Sequence, residues 1–199
     1  MRMAFGSLWL LAVGTGFALV LNYQNTGGRA GTAPEHWPSG TQIMLDSKQY
    51  TLVMFAHPRC PCTRASLEEL NRLLAQSRGR VAAQVVFFKP VTNSNDWQQT
   101  DLWRSATAIP GVAVHEDLNG AQARLFGAET SGYVLLYDTN GQLLFRGGIT
   151  GSRGHAGENA GEDAVASILA GNAVSLTQTP VYGCSLLGNC QAVLVRGAQ

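Results

Sequence analysis

The N-terminal part of the chain carries its longest uninterrupted apolar run. Residues 3–21, MAFGSLWLLAVGTGFALVL, are 19 residues without a charge. A helix of this length is about 28 Å long at about 1.5 Å per residue, close to the hydrocarbon thickness of a bilayer. The pattern predicts a membrane anchor over residues 1–22.

A cleaved signal peptide is the other interpretation of this run. Signal peptides have a shorter apolar region that a small-x-small cleavage site follows closely. The best such site, Gly31-Thr32-Ala33, lies ten residues beyond the run and directly before Pro34. We therefore favour an uncleaved, single-pass anchor in the cytoplasmic (inner) membrane. Arg2 places the N-terminus inside by the positive-inside rule, so the rest of the chain is expected in the periplasm or another extracytoplasmic space.

Polar and small residues separate this run from the next apolar segment. Residues 23–36 are rich in Gly, Thr and Asn, which is typical of a flexible linker. A folded domain is expected over 37–172. A tail over 173–199, carrying two of the four cysteines, follows the last predicted helix.

The domain begins with a strand-helix-strand pattern. YTLVMFA, residues 50–56, is a short apolar run rich in strand formers. The leucines of 63–77 recur at three- and four-residue spacing, which predicts an amphipathic helix, and RVAAQVVFFK, residues 80–89, is a second strand. This order predicts a right-handed crossover between parallel strands.

Further elements alternate along the remaining domain. We expect, in order, a helix within 94–109, a strand at 111–117, a helix at 119–128, a strand at 132–138, a hairpin partner at 142–148 and a final helix at 162–171. The aromatic residues of these elements are expected in the core or covering it: Tyr50, Phe55, Phe87, Phe88, Trp97 and Trp103.

Charge and glycine distribution exclude two classes of ligand. The chain has 14 Lys and Arg against 13 Asp and Glu, without the concentrated basic face that nucleic-acid binding needs. The glycine-rich stretch 147–161 does not end in Lys-Ser or Lys-Thr, so it is not a phosphate-binding loop. No nucleic acid and no bound organic cofactor are expected.

Candidate chemistry lies at the junction between the first strand and its helix, where Cys60-Pro61-Cys62 stands. The thiolate is the reactive form of cysteine, and the unpaired N–H groups and partial positive charge of a helix N-terminus stabilise it. Three neighbouring side chains add positive charge: His57, Arg59 and Arg64. At least one of the two cysteines is therefore expected to be a nucleophile near neutral pH.

The spacing of Cys60 and Cys62 does not decide which cysteine would form a disulfide with either of them. A disulfide between residues i and i+2 requires a tight bend, and a strained disulfide is easily reduced. A resolving cysteine from the tail, Cys184 or Cys190, would avoid that strain. The tail cysteines have two other interpretations: a structural Cys184–Cys190 disulfide in an oxidising compartment, or a share in a metal site.

A metal site is the alternative for the first cysteine pair. His57, Cys60 and Cys62 offer two thiolates and an imidazole, which suit Cu(I) or zinc. In that interpretation the protein is a copper-binding chaperone or metal sensor.

The element order, with cysteines opening the first helix, resembles the thioredoxin fold. VHEDLNGAQARLFGA followed by GYVLLYDTNGQLLFRGG resembles the second half of membrane-anchored periplasmic thioredoxin-like proteins and of peroxiredoxins, and the whole is similar to bacterial sequences labelled RedB-like. The resemblance covers roughly residues 40 to 171. It implies an α/β fold, a central mixed sheet flanked by helices, behind the N-terminal transmembrane helix.

Two features depart from the thioredoxin pattern. Thioredoxins space their cysteines by two residues, and here one residue separates them. They also carry a cis-proline before the third central strand, where this chain has Thr130 and Ser131 before Gly132. A non-proline cis bond costs about 2.5–4 kcal/mol. We therefore expect a trans bond and an altered substrate loop here.

The resemblance implies a membrane-tethered thiol–disulfide oxidoreductase that acts on thiols or disulfides of partner proteins. Cys60 would attack and Cys62 would resolve, although either could take either role. In this fold the loop after the last hairpin strand lies beside the cysteines, which places Arg153, His155 and Glu158 on the same face.

Two further functions stay open. A thiol peroxidase is hinted at by Pro58 and Arg153, but the Thr or Ser that peroxiredoxins place before their cysteine is missing before Cys60. A structural protein with an unused thioredoxin fold is the other.

Overall fold

The computed structural model describes residues 2–29, 31–91, 97 and 99–187. Its elements follow the predicted order: α1 (Arg2–Asn25), β1 (Tyr50–Ala56), α2 (Cys62–Ser77), β2 (Val81–Lys89), α3 (Asp101–Thr107), β3 (Val112–Leu118), α4 (Ala121–Leu125), β4 (Tyr133–Tyr137), β5 (Leu143–Gly147) and α5 (Ala160–Leu169).

The strands form one mixed sheet in the order β3-β2-β1-β4-β5. β1 pairs in parallel with β2, and β2 with β3, while β4 runs antiparallel to β1 and to β5. The predicted crossover and hairpin are both confirmed. The fold is thioredoxin-like, as the sequence predicts.

Strand alternation divides the core between the two faces of the sheet. On one face Leu52 and Met54 pack with the leucines of α2 and the apolar side of α5. On the other, Val53 and Phe55 pack with Phe126 and the tyrosines of β4. The burial of both faces of β1 explains its unbroken apolar sequence.

Helix α1 lies apart from both core layers. Its apolar side chains are exposed, and the segment Gly6–Asn25 is the one helix among the described residues that is long and apolar enough to cross a membrane. The predicted span 3–21 falls within α1.

The predicted linker, residues 23–36, packs against the domain from Gly28 onwards. The Gly28 N–H donates to the Val181 carbonyl at 2.7 Å, and Ala33 is buried with the second core layer. The Glu35 carbonyl accepts the Leu143 N–H at 2.8 Å. Backbone pairing, which composition does not reveal, is what holds this segment.

The described part of the tail is packed in the same way. Thr179 pairs with the backbone of Arg146 on β5, and its hydroxyl donates to the Gly148 carbonyl at 2.7 Å. Val181 and Leu186 are fully buried in the second core layer. Cys190, and with it the predicted Cys184–Cys190 pairing, lies outside the described residues.

Two helices are shorter than the sequence predicts. Within the interval 94–109, of which 94–96 and 98 are not described, α3 begins only after Thr100, whose hydroxyl caps it by accepting the Trp103 N–H. Helix α4 ends at Leu125, before the predicted 128. Asp117 anchors its start by accepting the N–H groups of Gln122 and Ala123.

Candidate functional site

A tight turn between β1 and α2 positions the two cysteines. The Cys60 N–H donates to the His57 carbonyl at 3.1 Å, and the Cys60 carbonyl accepts the Thr63 N–H at 3.0 Å. Pro61 caps α2, so Cys62 is the first helical residue. Cys60 is 0% exposed and Cys62 is 9% exposed. The CPC sequence therefore makes a buried cysteine followed by a nearly buried one at the helix N-terminus.

The tail brings a third cysteine to this turn. The Cys184 N–H donates to the sulfur of Cys60 at 3.4 Å, and the Cys184 thiol also hydrogen-bonds that sulfur. The Cys184 carbonyl accepts the Ser131 N–H at 2.8 Å. Thr130 and Ser185 form an antiparallel bridge next to it. Residues 184–186 thus run antiparallel to the loop that precedes β4.

Hydrogen bonding sets the ionisation of these thiols. The Cys184 thiol, and then the Cys62 thiol, lower the pKa of Cys60 far below its ordinary value by donating to its sulfur, against the opposing effect of burial. The pKa of Cys62 is raised, first because its thiol bonds to Cys60 and then by burial. The thiolate is therefore favoured at Cys60 rather than at Cys62.

Arg153 is the basic residue that reaches the cysteines. Its positive charge lowers the pKa of Cys62 and so partly offsets the increase caused by Cys60 and by burial. Its Nη1 donates to the Gly183 carbonyl at 2.6 Å, and its Nε donates to the Tyr23 carbonyl at 3.2 Å. Arg153 thus joins Cys62, the tail and the end of α1.

The two other basic candidates lie elsewhere, which corrects the expectation from sequence. Arg64 pairs with Asp101 at an exposed position, and the Arg59 guanidinium stacks on the Trp97 ring at 3.8 Å. Both residues are close to the cysteines in sequence, but their side chains extend away from the turn toward α3 and the segment before it.

The loop of Thr130 and Ser131 is tied to the turn by hydroxyl groups. Ser131 is buried, and its Oγ accepts the His57 N–H at 2.8 Å and shares a hydrogen bond with the Thr63 hydroxyl at 2.8 Å. Thr130 donates its hydroxyl to the Arg29 carbonyl at 2.6 Å. All peptide bonds among the described residues are trans.

His57 is buried and hydrogen-bonded within the turn. Its Nδ1 accepts the Arg59 N–H at 3.2 Å, and its ring stacks on Phe88, which is half-buried rather than in the core. Within the described part of the chain no group of three or more His, Cys, Asp or Glu side chains is arranged to hold a metal ion. The histidine that the copper interpretation requires is thus engaged with the turn backbone.

Of the other loop residues, His155 and Glu158 are exposed. The His155 Nδ1 lies 2.8 Å from the Arg153 carbonyl, within its own loop. The loop prediction thus placed Arg153 correctly, whereas His155 shows no contact with the cysteines.

Sequence reasoning missed a buried carboxyl pair on the outer side of the site. Glu69 of α2 and Glu162 of α5 face each other, and Glu69 also accepts bonds from Arg72 and from the Gly157 N–H. Burial, and then the Glu69 carboxyl, raise the pKa of Glu162 from its ordinary 4.5 to about 7. No sequence signal marked it, because acidic residues on amphipathic helices are usually solvated.

No protein-family model matches this chain, and no curated protein matches it. Among solved structures, it is similar to a hypothetical protein from Sinorhizobium meliloti 1021 at 20% identity and a TM-score of 0.61, over 84% of this chain and 98% of that one. An uncharacterised conserved protein from Geobacillus kaustophilus matches at 17% identity and a TM-score of 0.59, over 84% and 95%. At these identities the likeness concerns the fold.

A third similar structure is a secreted disulfide oxidoreductase from Mycobacterium tuberculosis. It matches at 13% identity and a TM-score of 0.44, over 64% of this chain and 84% of that one.

Proposed function

We propose that this protein is a membrane-tethered thiol–disulfide oxidoreductase whose reactive sulfur is that of Cys60. One observation carries the proposal: the Cys60 sulfur accepts hydrogen bonds from the Cys184 N–H and from two neighbouring thiols. Hydrogen bonds to an ionised acceptor are the strong ones, and the thiolate is the nucleophile of disulfide exchange. The substrates are thiols or disulfides of partner proteins.

In the reductive direction a cysteine thiolate of the site attacks one sulfur of a partner disulfide. A mixed disulfide forms, and the other partner sulfur leaves as a thiolate. A second cysteine of the site then attacks the first, which releases the partner as a dithiol and leaves this protein with a disulfide that includes Cys60. The exchange needs no group beyond the cysteines.

The proposed location is the outer face of the cytoplasmic membrane, with α1 as the anchor. Arg153, which lies beside Cys62, stacks on the Tyr23 ring at 4.9 Å and donates its backbone N–H to the Gln24 carbonyl at 3.1 Å. Because α1 ends at Asn25, this arrangement supports a redox site close to the membrane surface. Resistance to alkaline extraction from membranes is the expected result, and a soluble form starting after Ala33 would contradict anchoring.

The exchange itself is tested with the full chain in nonionic detergent. Pre-reduced protein is mixed with a peptide disulfide, and the release of peptide thiol is followed. We expect Cys60→Ser to abolish the reaction and Lys48→Ala, an exposed change before β1 and away from the cysteines, to leave it intact. Equal rates in wild type and Cys60→Ser would overturn the proposed function.

A further inference from the structure

The two cysteines of the CPC turn do not make a favourable redox pair. A disulfide between them would close over a single residue, Pro61, whose ring fixes its φ near −62° and limits relaxation. The Cys62 thiol is used instead as a hydrogen-bond donor to the Cys60 sulfur.

Backbone pairing with the loop before β4 holds Cys184 beside Cys60. Its backbone pairs with Ser131 through a 2.8 Å hydrogen bond, and Leu186 pairs with Glu129 at 2.8 Å. An extended segment paired with a free backbone edge is a common mode of peptide recognition. Here the chain supplies that segment from its own tail.

The tail is built to stay in this place. Val181 and Leu186 are buried on either side of the cysteine. Gly183 packs so tightly that a Cβ there would overlap the Ser131 carbonyl oxygen, and the Arg153 guanidinium holds the Gly183 carbonyl. These contacts hold Cys184 in the site.

The three cysteine residues differ in exposure. Cys60 is fully buried and Cys62 nearly so, whereas Cys184 is partly exposed. A partner that docks from solvent therefore reaches Cys184 first.

We propose that the redox-active pair is Cys60 and Cys184, with Cys184 as the sulfur that exchanges with the partner protein. The inference rests on the proposed function and names its second cysteine. Cys60 is the buried leaving group, and Cys62 donates a hydrogen bond to it.

The exchange balances as follows in the oxidising direction. A partner thiolate attacks the Cys184 sulfur of a Cys60–Cys184 disulfide, and the electron pair leaves with Cys60 as its thiolate. A second partner thiolate attacks the partner sulfur of the mixed disulfide, and Cys184 leaves and takes up a proton. The partner dithiol loses two electrons and becomes a disulfide, one proton passes to solvent, and this protein gains the two electrons.

The lowered pKa of Cys60 favours this route, because a thiol of low pKa leaves faster. A small disulfide such as oxidised glutathione regenerates the Cys60–Cys184 bond by the same chemistry in reverse.

Disulfide mapping tests the pairing on the full chain in detergent. The protein is equilibrated with oxidised glutathione, alkylated and digested with trypsin, which cuts after Arg59 and Arg64 and isolates peptide 60–64. We expect this peptide joined to the tail peptide in wild type, in Cys62→Ser and in Cys190→Ser, and separate in Cys184→Ser. A Cys60–Cys62 disulfide that forms in wild type and persists in Cys184→Ser would overturn the inference. A Cys184–Cys190 disulfide that leaves Cys60 reduced would also overturn it.

A second experiment identifies the exchanging sulfur. With Cys60→Ser and Cys62→Ser combined, oxidised glutathione should form an adduct on Cys184, whereas no adduct there would overturn its role. The two proposals fail in different ways. If exchange requires Cys60 but runs at full rate in Cys184→Ser, only the Cys60–Cys184 pairing is refuted. If exchange does not depend on Cys60, the proposed function is refuted.

Discussion

The backbone N–H of Cys184 lies 3.4 Å from the sulfur of Cys60, although 124 residues separate the two cysteines. This contact completes a cluster of three thiols from a strand-helix turn and a C-terminal segment. The three cysteines have different roles because their burial and their hydrogen bonds differ.

The first prediction concerns the acidity of Cys60. Cys184→Ala removes the main thiol donor to its sulfur and should raise the pKa of Cys60, whereas Cys184→Ser keeps an O–H donor and should raise it less. Cys62→Ala should also raise it, by a smaller amount. The pH dependence of Cys60 alkylation, mapped by mass spectrometry, measures the change. An unchanged profile in Cys184→Ala would refute the hydrogen-bond explanation.

The second prediction concerns the packing of the tail. Gly183→Ala places a Cβ against the Ser131 carbonyl, and the Gly183 backbone is not left-handed, so the clash is the main effect. We expect the tail to leave the site and the alkylation rate of Cys60 to rise at least tenfold. Gly151→Ala is the matched control, since the nearest atom to its Cβ would be 3.9 Å away. A rate equal to that control would show that Gly183 does not position Cys184.

The third prediction concerns the hydroxyl pair below the turn. Ser131→Ala leaves the His57 N–H without its buried partner and removes the bond to the Thr63 hydroxyl, which keeps only the His57 carbonyl at 3.4 Å; this should lower the free energy of unfolding by about 1–3 kcal/mol. Urea unfolding measures this loss. A double-mutant cycle with Thr63→Ala isolates the coupling between the two hydroxyls. Additive effects would mean that the bond between them contributes nothing.

The fourth prediction concerns the pH dependence of stability. The pKa of Glu162 is about 7 in the folded protein and lower in the unfolded chain, so the folded state binds the proton more tightly. The resulting stabilisation is complete below the unfolded pKa of about 4.3 and is lost as pH rises toward 7. Glu162→Gln should remove this decline from the urea-unfolding free energy.

The exposed Glu158 supplies the control for that experiment. Glu158→Gln should leave the decline between pH 4.5 and 7 in place. The same slope in wild type and Glu162→Gln would show that the carboxyl pair does not share a proton.

Much of the fold was predictable because its signals are local. The apolar run of β1, the leucine spacing of α2 and the turn between β4 and β5 each follow from short stretches of sequence. The position of Cys60 at the start of a helix followed from the same patterns.

The rest of the site depends on contacts between distant segments. Arg64 was expected beside the cysteines, but it pairs with Asp101, which depends on where α3 packs. Cys184 reaches the site through backbone pairing of the tail with Ser131. Its only sequence signal is a Gly-Cys step between the apolar residues Val181 and Leu186.

The most direct measurement is a redox titration of the full chain against glutathione, with the state of each cysteine read by differential alkylation. The account predicts that Cys60 and Cys184 change state together, and that they still do so in Cys62→Ser. The account is contradicted if Cys60 and Cys62 titrate as the pair, or if Cys60 stays reduced across the whole range.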